Sequence, residues 1–229
     1  MNISEFEVIY EQNKCLILKR LSLGETQSGI LLLPEIWGLN KHIYEVAEQY
    51  LVLGYEVFIP DIYWRQQRNV CLDYDEESTK TARKLYANLD FNLTAEDLNQ
   101  VIDFIFKLDR NYKLGVLGFC MGGTLTYLLH HKKIAAIVSY YGSRVRECLK
   151  QIELINCPTL FHVADNDHLI TLHEIQELEL LSLKNNKFKI YRYPLAGHGF
   201  NCPYRPNFSA AQARLAFERS SNFFIQHLS

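Results

Sequence analysis

Gly118-Phe119-Cys120-Met121-Gly122 sets one strong nucleophile between two residues without side chains, at the end of the apolar run Leu114-Gly115-Val116-Leu117. This is the spacing of a nucleophile elbow with cysteine where serine is usual. A sharp strand-to-helix turn strains the nucleophile, and small residues two before and two after it let strand and helix approach closely. A thiol at the N-terminus of the following helix is favoured as thiolate by the helix dipole, and the Met121 N–H points into an oxyanion hole. A buried cysteine beside an ordinary glycine-marked turn is written with the same letters. The reading therefore depends on partners, and two follow: the acidic stretch Asp165-Asn166-Asp167-His168, and a histidine in Gly197-His198-Gly199-Phe200. With these, His198 moves protons, one of the two aspartates fixes its tautomer, and Cys120 forms an acyl-enzyme.

Such partners must be delivered by elements that end at one edge of a sheet. The runs KCLILK (14–19), GILLL (29–33), YEVFIP (55–60), IAAIVSYY (134–141), PTLFHVA (158–164) and FKIYRY (188–193) read as strands. Between them lie helical patterns: one with Ile43, Val46, Ala47, Tyr50 and Leu51 on a face, two more over 76–88 and 94–108, and later ones over 172–183 and 210–228. Thr94 and Asp97 are read as the cap of the 94–108 helix. Alternation of this kind predicts a mostly parallel sheet covered on both faces, in which nucleophile, acid and histidine follow the chain order of α/β-hydrolases. The loop after Leu33 also opens at a strand's carboxyl end, so Glu35 faces either a pocket or solvent, and the Ile36 N–H is a natural second oxyanion donor. The segment 62–75, with Tyr63, Trp64, Arg65 and Arg68, is either a pocket wall or a packed surface loop.

The 229 residues suffice for one core, and no linker, repeat or low-complexity tract divides them, so one domain over 1–229 is expected. A hydrophobic fraction of 48% with a net charge of −2 offers no broad basic surface for nucleic acid. No run approaches membrane-spanning length and the N-terminal stretch has no apolar export segment, which points to the cytoplasm. The six cysteines lack metal-type spacing and read as free thiols. The adjacent His130 and His131 point apart on a helix and read as structural.

Taken together, the motifs resemble the dienelactone hydrolases, or carboxymethylenebutenolidases, from about Gly29 through Leu228. The matching stretches are Pro34-Glu35-Ile36-Trp37-Gly38-Leu39-Asn40, Pro60-Asp61-Ile62-Tyr63, Gly118-Phe119-Cys120-Met121-Gly122-Gly123, Asp165-Asn166-Asp167-His168 and His198-Gly199-Phe200-Asn201. The resemblance implies an α/β-hydrolase fold and selects Asp167 as the acid. It also implies that Glu35 sits near the resting thiol and is displaced by substrate, which arms the cysteine. Substrate-binding residues are expected among Trp37, Phe200, Arg83 and Arg205. Here the sequence departs from the family, since Cys202 stands where an arginine four residues after the histidine is usual, and Lys80 competes with Arg83 for the second arginine position. The expected protein opens a lactone or cleaves a small ester with a Cys-His-Asp triad, needs no cofactor or metal, and is a monomer or small homo-oligomer. The rival readings are a ligand-binding protein without catalysis and a thiol redox sensor in which Cys202 resolves an oxidised Cys120.

Overall fold

The computed structural model describes residues 1–11, 14–109 and 111–229. Its strands are β1 (Asn2–Glu11), β2 (Lys14–Ser22), β3 (Ser28–Leu33), β4 (Glu56–Pro60), β5 (Lys113–Phe119), β6 (Ile134–Tyr140), β7 (Thr159–Ala164) and β8 (Phe188–Tyr193). They form a single sheet in the order β1-β2-β4-β3-β5-β6-β7-β8. Strands β3 to β8 run parallel, and β2 pairs antiparallel with both β1 and β4. The central strands are apolar over most of their length and do not alternate, because a parallel sheet covered on both faces buries successive side chains. Ile30 to Leu33 are all buried.

The helices are α1 (Lys41–Val52), α2 (Glu76–Ala87), α3 (Phe91–Leu108), α4 (Met121–Thr126), α5 (Val145–Glu153), α6 (Leu172–Lys184) and α7 (Ala210–Leu228). The side chain of Asn40 accepts the Ile43 N–H and caps α1, which buries Ile43, Val46, Ala47, Tyr50 and Leu51 as its spacing requires. Tyr50 packs edge-on against Phe224 of α7, so α1 and α7 share one face of the sheet. Residues alternate in direction along β5, and this fixes where α4 lies. Gly115 faces Phe224 and Leu228 of α7, whereas Gly118, of opposite parity, faces the backbone of Gly122, so α4 covers the other face.

One of these expectations needs correction. Helix α3 starts at Phe91, capped by Asp90, whose side chain accepts from the Asn92 and Leu93 N–H groups. Thr94 is already inside the helix, its hydroxyl donating to the Asp90 carbonyl, and Asp97 is occupied elsewhere. Strand β1 and helix α5 were not anticipated. In the 62–75 loop, Trp64 Nε1 donates to Asp97 at 2.9 Å, Arg65 holds the same carboxylate at 2.8 Å, and Tyr63 and Trp64 are fully buried. This loop is packed onto α3 and forms no wall of the cavity described below. His130 and His131 go separately to the Gln151 carbonyl and to Asp103.

Candidate active site

Cys120 follows the last residue of β5 and has φ +54° and ψ −111°, a conformation that a residue with a side chain rarely adopts. The turn is this tight because two glycines permit it. A Cβ on Gly118 would lie 2.2 Å from the Gly122 carbonyl oxygen, and one on Gly122 would lie 2.2 Å from that of Leu33. The Gly122 N–H donates to the Pro34 carbonyl at 3.0 Å, tying the elbow to the loop after β3 that carries Glu35 and Ile36. Met121 opens α4, so its N–H is one of those a helix leaves unpaired at its first turn.

Asp167, after β7, and His198, after β8, meet Cys120 above the sheet. The His198 Nδ1 to Asp167 Oδ2 distance is 2.8 Å, and the His198 Nε2 to Cys120 Sγ distance is 3.1 Å. Both side chains of the His198–Asp167 pair are wholly shielded from solvent. Asp167 is further oriented by the Leu169 N–H at 2.8 Å. The alternative acid, Asp165, instead pairs outward with Arg192 at 2.8 Å. Burial pushes the His198 imidazolium down, but the Cys120 sulfur and the Asp167 carboxylate beside it outweigh burial and raise its pKa to about 10. An imidazolium beside the sulfur favours its nucleophilic form.

A cavity of about 520 Å³ opens onto Cys120 and His198. Ile36, Trp37, Arg83 and Arg205 line it, as do Tyr86 and His168. Arg83 is thus placed at the cavity, while Lys80 is exposed and paired with Glu76 and Glu77. The Trp37 ring lies 5.1 Å below the Arg205 guanidinium, and its Nε1 donates to Thr79 at 3.2 Å. Phe200 is not at the cavity. It is completely buried behind the site, with ring centroids 4.8 Å from Tyr193 and 5.4 Å from Tyr141, and supports the histidine loop by packing.

Glu35 is buried, but its partners are not the thiol. Its carboxylate accepts from Arg205 Nη1 at 2.8 Å and from the Tyr74 hydroxyl at 2.9 Å. Tyr74 escaped notice in the sequence, where it is one tyrosine of fourteen in a stretch without periodicity. His168, which directly follows the acid, places its ring 5.7 Å from that of His198.

The sequence profile of the dienelactone hydrolase family matches residues 20–228. The chain belongs to that family. Its relatives include the carboxymethylenebutenolidase of Pseudomonas putida, 30% identical over 197 residues, which are 85% of this chain and 84% of that one. Carboxymethylenebutenolidase 1 of Cupriavidus pinatubonensis is 29% identical over 194 residues, or 83% and 82% of the two chains. Among solved structures, the dienelactone hydrolase-like promiscuous phosphotriesterase P91, from metagenomic libraries, superposes with a TM-score of 0.78 at 18% identity over 99% of each chain. At that identity it speaks for the fold alone, which is the α/β-hydrolase fold. Membership of the dienelactone hydrolase family makes this protein a hydrolase of ester and lactone bonds.

Proposed function

We propose that the protein hydrolyses lactones or small carboxylic esters through a Cys120 thioester, with His198 as proton carrier and Asp167 as its orienting partner. The observation that carries this reading is the continuous chain Asp167–His198–Cys120, with links of 2.8 and 3.1 Å, at the floor of the cavity. In the first half-reaction Cys120 Sγ attacks the carbonyl carbon while the carbonyl oxygen takes up negative charge between the Met121 and Ile36 N–H groups. Collapse of this intermediate breaks the acyl–oxygen bond, and His198 gives its proton to the leaving oxygen. In a lactone the leaving oxygen stays tethered through the ring. In the second half-reaction His198 takes a proton from water, the hydroxide attacks the thioester, and the acid is released as the thiolate leaves.

A thiol nucleophile suits activated acyl groups such as enol esters, whose leaving group departs easily. Arg83 and Arg205 on the cavity wall favour a substrate with its own carboxylate, and Trp37 offers an aromatic face to an unsaturated ring. All six cysteines are free, which fits a reducing compartment and supports a cytoplasmic enzyme. Initial rates on a dienelactone and on p-nitrophenyl acetate test the proposal. Cys120→Ala is expected to lose about 10³-fold or more on whichever ester is turned over. Unchanged turnover in the variant would overturn the nucleophile assignment.

A further inference from the structure

Beside the catalytic chain lies a second cluster of ligating side chains that the proposed reaction does not use as donors. Glu35 comes from the loop after β3, His42 from the first turn of α1, and Cys202 from the loop after β8. All three are buried, with exposures of 1%, 2% and 0%. One carboxylate oxygen, one ring nitrogen and the sulfur lie within 4.8 Å of one another.

The decisive observation is on His42. Its Nε2 is sealed from solvent and has no hydrogen-bond partner among the described residues. A buried ring nitrogen is normally satisfied by protein, water or metal, so an orphaned one on a histidine that shares a cluster with a thiol and a carboxylate points to a missing ligand. We infer that Glu35, His42 and Cys202 form a binding site for a thiophilic divalent cation of the Zn²⁺ type.

The donor set selects the ion class. One imidazole, one thiolate and one carboxylate match zinc and its first-row neighbours, whereas calcium and magnesium require a shell of oxygens. Bonds of roughly 2.0–2.3 Å in a tetrahedral site leave ligands about 3.3–3.8 Å apart, so the donors draw in by about 1 Å on binding. Burial holds the His42 imidazole neutral, the form that ligates. Burial, with the Glu35 charge adding to it, pushes the Cys202 thiol up to about 12, so it is protonated until a cation arrives. On binding, the S–H bond breaks, the sulfur electron pair goes to the metal and the proton leaves to solvent.

The site carries its own competitor. Arg205 Nη1 sits 2.8 Å from Glu35 Oε1, and a second cation at Glu35 weakens that pair. Occupancy therefore drives the guanidinium toward the cavity that it already lines. The inference does not rest on the proposed reaction, since none of the three donors belongs to the Cys120–His198–Asp167 chain.

Cobalt(II) titrated anaerobically into the Cys120→Ala protein is the test, because that variant lacks the catalytic thiol, which would bind the probe itself. One equivalent is expected to bind with an intense thiolate-to-cobalt absorption. Adding Cys202→Ser should abolish the absorption, and adding His42→Gln should weaken binding at least tenfold, in proteins whose circular dichroism is native. Absence of one-equivalent binding, or an absorption that survives Cys202→Ser, would overturn the site. Should either double variant fail to fold, X-ray absorption of the zinc-loaded Cys120→Ala protein decides: one sulfur in the metal shell supports the site, and a shell of nitrogen and oxygen alone refutes it.

Discussion

At the scale of single residues, the position of one proton between His198 and Cys120 decides the chemistry. With the imidazolium persisting to about pH 10, the NMR signals of the His198 ring are expected to stay those of the charged form between pH 6.5 and 9, where an ordinary histidine is largely neutral. A titration midpoint inside that range would remove the imidazolium from the account. Asp167→Asn leaves the hydrogen-bonding shape intact but reverses the tautomer preference, so kcat/KM should fall by on the order of 10²–10⁴ without a change in thermal stability of comparable weight. Cys120, Asp167 and His198 are legible as letters because each lies just past the carboxyl end of a strand. The choice between Asp165 and Asp167 was not settled by position, since both lie in the same loop. The family resemblance selects Asp167, and in the structure Asp167 is the one that meets His198, while Arg192 draws Asp165 outward. The partners of Glu35 were illegible. Arg205 lies far along the chain, and nothing local to Glu35 announces that a guanidinium will reach it.

Among the elements, the junction between β5 and α4 tolerates least. The Cβ of Gly118→Ala would meet backbone atoms of Gly122 and Gly123, which cannot rotate aside as a flexible side chain can. The substitution should cost about 1–3 kcal/mol in urea unfolding, with activity lost even in the folded fraction because the nucleophile shifts. At α3 the cap is Asp90, so Asp90→Ala should cost about 1 kcal/mol and Thr94→Ala less. The reverse ranking would restore the cap expected from the sequence. That misreading has a physical origin: threonine and aspartate at this spacing resemble a cap wherever they occur, and only the recruitment of Asp97 by Trp64 and Arg65 reveals its other use. Helix α5 did leave a signal, since Val145, Cys148 and Ile152 recur at helical spacing and are buried. It lies in a short, charged segment where that periodicity is brief.

For the molecule as a whole, the parallel core follows from the alternation of strands with helices, whereas the strand order and the antiparallel pairing of β2 with β4 do not. Buried histidines make its stability depend on acid. His162, on β7, is wholly enclosed, with Nδ1 2.6 Å from the Tyr193 hydroxyl and Nε2 2.9 Å from Ser220 Oγ. Burial, reinforced by the nearby Arg219 charge, holds its pKa well below 6.5. The unfolded chain therefore takes up a proton that the native state refuses, and the stability present above pH 6.5 is lost as the pH falls below it. The melting temperature should decline from about pH 6.5 downward, and His162→Asn should flatten the decline between pH 6.5 and 5. No helix among the described residues is long and apolar enough to cross a membrane. The position of α7 bears on how the protein is made. Phe224 and Leu228 lie against Gly115 at the centre of the sheet, and the Ser28 hydroxyl donates to the Leu228 carbonyl. During synthesis β3, β4, β5 and β6 emerge from the ribosome well before this helix, so the part of the face that α7 covers beside α1 stays open until α7 follows. The histidine loop likewise emerges well after the β5–α4 elbow, and a chaperone that shields apolar surface has its opportunity in that interval.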